Sequence, residues 1–235
     1  MNIVIDVGNN YIKIGAFSGG KLQWTKTYSR LHDVLQAVQA EKPVHVFISS
    51  VRNQTDFSAL ETVTQVHFLN KHTRLPIDID YETPHTLGTD RIAAAVGAAT
   101  LFPGCNNLFF DLGTCLTHGF INTKAVFEGG SISPGVEMRF KALAHFTEKL
   151  PLVKAEKEPP LTGKSTSGSI MSGVLNGIQF EIEGFIEAYQ NKYTPINVLL
   201  TGGNASLFEK RLKEPIFVIA ELNLIGLNRI LNYNV

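Results

Sequence analysis

The chain has 235 residues, 44% of them hydrophobic and 18% charged, a globular composition with room for one large domain or two small ones. Lys plus Arg total 21 and Asp plus Glu total 21, so the formal net charge is zero, which argues against a general nucleic-acid binder with a basic face. No apolar run approaches the ~20 residues that span a bilayer, and the chain does not open on a basic segment followed by a long apolar one. The expectation is a cytoplasmic protein with neither a membrane nor a nucleic acid as partner. Cys105 and Cys115 are too few for a disulfide framework and read as two buried thiols.

Ile3-Val4-Ile5 is a short apolar run, and Tyr11 to Phe17 alternates and is β-rich. A strand, a tight turn at Asp6-Val7-Gly8-Asn9-Asn10 and a returning strand fit this pattern. Gly8 permits a turn that a side chain would forbid and lets backbone N–H groups face phosphate oxygens. Asp6 ends the first strand within reach of a metal ion or its water, and Lys13 returns along the second strand towards phosphate charge. An ordinary hairpin with Asp and Asn as turn formers fits the same residues.

Leu31 to Ala40 has apolar residues at helical spacing, and Pro43 closes that helix. Val44 to Ile48 is a buried-type strand. Ser49-Ser50-Val51 stands at its end, where open α/β sheets place ligand crevices. Val66 to Leu69 is a further strand. Tyr81-Glu82-Thr83-Pro84 is a loop. Gly88 then opens a helix with Thr89 or Asp90 near its cap. The run Ala93-Ala94-Ala95, Gly97 and Ala98 allows close approach of another backbone, a ligand or a second copy of the chain.

The opening turn recurs at Leu108-Phe109-Phe110-Asp111-Leu112-Gly113-Thr114, nearly half a chain away. Such an internal repeat reads as two similar halves, 1–103 and 104–235, each offering an Asp-tipped hairpin to a shared cleft. Gly129-Gly130 and Pro134-Gly135 read as a rigid narrow loop before a helix from Val136 to His145. Pro151 to Gly168 is a long loop. Thr166 sits at its end as a helix N-cap or a ligand contact. Ile170 to Ile186 marks a long amphipathic helix. Val198-Leu199-Leu200 is a strand, and Thr201-Gly202-Gly203-Asn204 is a turn that suits a nucleoside or stands empty. A strand at Ile216 to Ile219 and a helix from Glu221 complete the chain, that helix packing back on the first half.

Four stretches, taken in order, resemble the type III pantothenate kinases. They are the Asp-x-Gly-Asn start, Gly88-Thr89-Asp90-Arg91, Asp111-Leu112-Gly113-Thr114 and Gly129-Gly130-Ser131-Ile132-Ser133-Pro134-Gly135. These kinases belong to the superfamily of acetate and sugar kinases, heat-shock chaperones and actin. The resemblance implies an α/β fold of two ribonuclease H-like half-domains, each a mixed sheet with helices, facing a shared nucleotide cleft. It implies ATP-dependent phosphorylation of pantothenate, with Mg2+ and a monovalent cation, K+ or NH4+, in a homodimer. ATP contacts fall on Asp6, Val7, Gly8, Asn9, Asn10, Tyr11, Ile12, Lys13 and Thr114. Pantothenate contacts fall on Tyr81, Gly88, Thr89, Asp90, Arg91 and Thr166. Asp90 takes the hydroxyl proton, and Asp111 holds the monovalent cation.

Two positions depart from the family. Asn10 stands where relatives carry Thr or Ser, and Gly119 where many carry an acid. His118 beside it reads as a surface histidine. The chain lacks Gly-x4-Gly-Lys-(Ser/Thr), so a Walker-type kinase is disfavoured. A kinase for another small acceptor and a nucleotide-binding regulator without turnover are the rival readings.

Overall fold

A computed structural model describes residues 1–52, 55–155, 158–213 and 215–235. The chain opens with strands β1 (Asn2–Val7), β2 (Ile12–Ser18) and β3 (Lys21–Tyr28). Helix α1 (Leu31–Glu41), β4 (His45–Ser50), a short α2 (Ser58–Glu61), β5 (Gln65–Phe68) and β6 (Asp78–Ile79) follow. A 3-10 turn, Pro84–Thr86, leads into α3 (Thr89–Leu101). Then come β7 (Asn106–Leu112), β8 (Cys115–Ile121), β9 (Val126–Pro134) and α4 (Val136–His145). The last elements are α5 (Thr166–Lys192), β10 (Ile196–Thr201), α6 (Ala205–Glu209), β11 (Phe217–Val218) and α7 (Leu222–Asn234).

Two mixed sheets result. The first has the order β3-β2-β1-β4-β5 and the second β11-β10-β7-β8-β9-β6. In the first, β1 runs antiparallel to β2 and parallel to β4. Strand β1 is apolar at consecutive positions because both its faces are covered: Ile3, Val4 and Ile5 are all fully buried. Ile3, Ile5, Val7, Ile12 and Ile14 join Val34 and Val38 of α1 in one core cluster. Each such side chain contributes about 1.5–3 kcal/mol relative to exposure. Helix α1 ends at Lys42, which takes the left-handed conformation before Pro43.

By contacts the chain divides into two compact units. One is Met1–Asn107, Phe120–Gly129 and Glu221–Val235, and the other is Leu108–Gly119 and Gly130–Ala220. The terminal stretch falls with the first unit because α7 packs on α3, β1, β2 and β4. The small residues of α3 serve this contact. A Cβ on Gly97 would overlap the Leu222 carbonyl, and one on Gly226 would overlap the Ala93 carbonyl. That face of α3 is therefore taken within the chain rather than offered to a second copy.

Several local expectations are corrected. Gly129-Gly130 lies within β9, not in a loop. Gly129 needs its positive φ of 101°, and a Cβ on Gly130 would run into the His118 carbonyl of β8. Gly8 does not take a positive φ; its Cβ position lies 3.3 Å from the Tyr11 carbonyl, so the constraint there is space. Cys105 is exposed, in the turn between α3 and β7, and Cys115 is half-buried. Of the loop expected over 151–168, residues 156 and 157 lie outside the described residues, and α5 already begins at Thr166. Ser165 caps α5 by accepting from the Gly168 N–H at 3.1 Å. The four-residue α2, the five-residue α6 and the two-residue β6 were too short for their periodicity to register.

The α3–α7 contact yields a stability prediction. Gly226→Ala forces the two helices apart and should cost about 2 kcal/mol. Thermal unfolding should show a Tm lower by roughly 4–8 °C. An unchanged Tm would mean that the helices can separate without loss.

Candidate active site

The first turn is built at the ends of β1, β2 and β4. Asp6 is half-buried and stands directly across from Lys13 on β2 and from Ser49 on β4. Buried Val7 and Ile12 anchor the two strand ends. Between them Asn9, Asn10 and Tyr11 are exposed. The Gly8 N–H donates to the Tyr11 carbonyl at 3.0 Å and closes the turn. Arg52, just beyond β4, donates from Nε to the Gly8 carbonyl at 2.7 Å and from Nη2 to the Asn9 carbonyl at 3.0 Å.

Helix α3 delivers the next group of residues to the same unit. Ser49 Oγ donates to Thr89 Oγ1 at 3.0 Å, tying the start of α3 to the strand beside Asp6. The N-cap is Gly88, and Asp90 stands in the first turn, where the helix dipole favours negative charge. Its Oδ1 accepts from the Arg91 N–H at 2.9 Å. A Cβ on Gly88 would fall 2.5 Å from that oxygen, so the glycine leaves the carboxylate its space.

Arg91 is only 5% exposed. Its Nη1 donates to Tyr81 Oη at a long 3.4 Å, and its guanidinium carbon lies 5.5 Å from the centre of the Tyr81 ring and 5.7 Å from that of Phe127. Gly129 passes along the Tyr81 ring, with its Cβ position 3.4 Å away. Nε and Nη2 of Arg91 are buried and have no protein partner. Two adjacent donors of a planar fork, held between aromatic rings and unsatisfied, suit a carboxylate or phosphate accepted in bidentate fashion.

The second unit repeats the turn in a shorter form. Asp111 is half-buried on β7, Thr114 is exposed, and the Gly113 N–H donates to the Cys115 carbonyl at 3.0 Å. Gly135, at the start of α4, donates its N–H to the Thr114 carbonyl at 3.2 Å. The turn after β10 closes on the same place. Asn204 donates its N–H to the Leu112 carbonyl at 3.0 Å, and Gly202 takes φ of 90° with its Cβ position 2.5 Å from Asp111 Oδ1. Thr166 is exposed at the first position of α5.

His118 is not a surface residue. It is 3% exposed, bonded to Ser131 Oγ at 2.6 Å, and packed among the rings of Phe110, Phe185 and Tyr189. It belongs to the core between β8 and α5. Gly119 beside it is buried, and the Cβ position of Gly130 lies 2.8 Å from its Cα.

Among the described residues no group of three His, Cys, Asp or Glu side chains could hold a metal. Single carboxylates at strand ends fit a magnesium ion bound chiefly by phosphate oxygens and water, since that ion keeps most of its hydration. Sequence reasoning singled out the 49–51 segment as a crevice end but missed Arg52. Its partners are backbone carbonyls more than forty positions away, and no spacing rule reports such a contact.

A family model described as type III pantothenate kinase matches residues 2–188. The type III pantothenate kinase of Bacteroides fragilis strain YCH46 is 42% identical, over 100% of this chain and 98% of its own. That of Phocaeicola vulgatus is 40% identical, over 100% and 99%. Among solved structures, a Campylobacter jejuni protein described as a conserved candidate transcriptional activator of the Baf family aligns with a TM-score of 0.66 at 20% identity, over 99% and 98% of the two chains. Component A of (R)-2-hydroxyglutaryl-CoA dehydratase from Acidaminococcus fermentans aligns at 0.53 and 12% identity, over 99% and 96%. Both structural likenesses concern the fold.

The unsatisfied guanidinium generates the prediction for this site. Exchanging a buried ion pair for apolar side chains of similar volume is often neutral or stabilises by about 1–4 kcal/mol, and a buried cation with no counter-ion is less favourable still. Arg91→Met should therefore leave the ligand-free Tm unchanged or raise it. A clear fall in Tm would show that the guanidinium holds the fold rather than awaiting an anion.

Proposed function

The chain belongs to the type III pantothenate kinases, and from that premise we infer that it transfers the γ-phosphoryl group of ATP to the hydroxyl of pantothenate, giving 4'-phosphopantothenate, the first step of coenzyme A biosynthesis. The observation that carries this is the end-to-end match at 42% identity to an enzyme of that name. The test is ADP release with pantothenate and close analogues, with and without K+. Turnover confined to another acceptor would overturn the reading.

Phosphoryl transfer asks a protein mainly for positioning and charge neutralisation. In our reading the first unit contributes the turn from Asp6 to Lys13, whose N–H groups and lysine meet the phosphates. Asp90 accepts the proton of the attacking hydroxyl. Arg91 holds the substrate carboxylate through Nε and Nη2, the two donors that the protein leaves unsatisfied. Tyr81, Gly88 and Thr89 complete the pantothenate contacts. The second unit contributes Thr114 to ATP, Thr166 to pantothenate and Asp111 to a monovalent cation, K+ or NH4+. Magnesium, when bound with ATP, neutralises charge on the phosphate oxygens; Asp6 would hold it through a bound water.

A homodimer is part of the proposal. Its support is apolar surface on the second unit: Ile132 is 62% exposed, Phe146 81% and Leu161 77%. A cytoplasmic setting is proposed from the two free cysteines. No described helix is long and apolar enough to cross a membrane. The balanced charge supports small-molecule partners without nucleic acid or membrane.

Two predictions follow from these roles. Asp90→Asn keeps the shape but cannot accept the proton, so turnover should fall by roughly 10²-fold or more, with ATP affinity by calorimetry near wild type. Near-normal turnover would remove Asp90 from the mechanism. Asp111→Asn should shift the activity titration against K+ to higher concentration while the Tm changes little. An unchanged titration with full activity would refute the cation role.

A further inference from the structure

Arg52 reaches back across the sheet end to the first turn and bonds two successive carbonyls, those of Gly8 and Asn9. Its own backbone is held from both sides by Ser50 Oγ, which accepts from the Arg52 N–H and donates to the Arg52 carbonyl, each at 3.1 Å. Ser50 is the last residue of β4 and pairs in register with Val7 of β1. The guanidinium is thus carried on one strand end and grips the turn that leaves its neighbour.

The consequence lies in peptide geometry. In a trans peptide the C=O and the following N–H point in opposite directions. The peptide bonds of this turn are trans. Pulling the Gly8 carbonyl towards Arg52 therefore turns the Asn9 N–H to the other side, and the grip on the Asn9 carbonyl turns the next N–H likewise. With the Gly8 N–H already spent on the Tyr11 carbonyl, the turn has little freedom left.

We propose that Arg52 is a positioning residue for the nucleotide: its fork fixes the peptide planes of the first turn so that their N–H groups are aimed at phosphate before ATP arrives. The second turn supports this by a parallel arrangement. Thr114 follows Gly113 as Asn9 follows Gly8, and its carbonyl is also restrained, by the Gly135 N–H. The carbonyl after the turn glycine is held in both units, once by a side chain and once by backbone. Arg52 acts through the turn and touches neither reacting group.

The proposal rests on the reading of Asp6 to Lys13 as the ATP turn, so the experiment includes a control for that reading. Arg52→Ala, Arg52→Lys and Lys13→Ala are compared by steady-state kinetics and Tm. Arg52→Ala should raise the KM for ATP about tenfold, with kcat within twofold, the KM for pantothenate unchanged and the Tm close to wild type. Arg52→Lys keeps the charge but lacks the two-pronged fork, and should recover less than half of that loss on a logarithmic scale. It also stands as the test variant if Arg52→Ala does not fold. A lysine variant with wild-type KM for ATP would overturn the proposal, because charge alone would then suffice. If Lys13→Ala raises the KM for ATP and Arg52→Ala does not, the clamp is wrong while the turn assignment stands. If neither variant moves it, the turn assignment itself falls, and the clamp with it.

Discussion

The near-contact of α7 with α3 sets where Asp90 and Arg91 of the first unit stand. Two glycines, Gly97 and Gly226, let each helix backbone reach the other's carbonyls. Both helices then lie against β4, and α7 also against β1 and β2. With the axis of α3 fixed, its first turn has one place to go: the end of β4, where Ser49 bonds Thr89. Asp90 and Arg91 follow in the next two positions. A backbone-to-backbone contact between helices is stiffer than one made through long side chains, because it has no rotamers to yield. The site inherits that stiffness, which suits a reaction that depends on alignment.

Charge is handled differently at different arginines. Arg139 bonds the Pro134 carbonyl, Ser133 Oγ and the Glu181 carboxylate. Arg211 bonds Asn176 Oδ1 and Gln179 Oε1. Both are satisfied within the protein and serve to join elements. Arg91 is more deeply buried than either, yet two of its nitrogens have no protein partner. Burying an unpaired cation is unfavourable unless another interaction offsets it. The faces of Tyr81 and Phe127 supply part of that offset through cation–π attraction, and an anion would supply the rest. The fold thus carries a local destabilisation that a bound anion would relieve, a pattern expected of binding sites rather than cores.

Much of this was legible in the chain, for identifiable reasons. The repeated Asp-x-Gly turns stood out because strand, turn and strand are close in sequence, and β1, β2, β7 and β8 all formed around them. The helix at Val136–His145 matched its expected bounds. What failed to register depended on contacts between distant residues. His118 has the composition of a surface position, but Ser131 Oγ satisfies its ring nitrogen and aromatic rings enclose it. Gly129-Gly130 looks like loop sequence, yet it lies in β9, where Tyr81 and the β8 backbone press close. Glycine has two uses, unusual dihedrals and close approach, and sequence alone does not separate them. Gly8 was read for both; it takes no positive φ, and space is its constraint.

The two turns meet one requirement by unequal means. Each must hold a glycine-containing corner still at a strand end. In the second unit the restraint is backbone: Gly135 at the head of α4 and Asn204 after β10 both donate N–H groups into it. Changing that restraint means moving a helix or a strand end. In the first unit the Gly8 N–H closes the turn on the Tyr11 carbonyl, and the carbonyls of Gly8 and Asn9 are held by the side chain of Arg52, anchored by Ser50. A side chain can be exchanged without rebuilding the fold, and its loss leaves β1, β2 and β4 paired as before. The first turn is therefore the one whose geometry sequence change can adjust in small steps. The second is tied to the packing of the whole unit and tolerates far less.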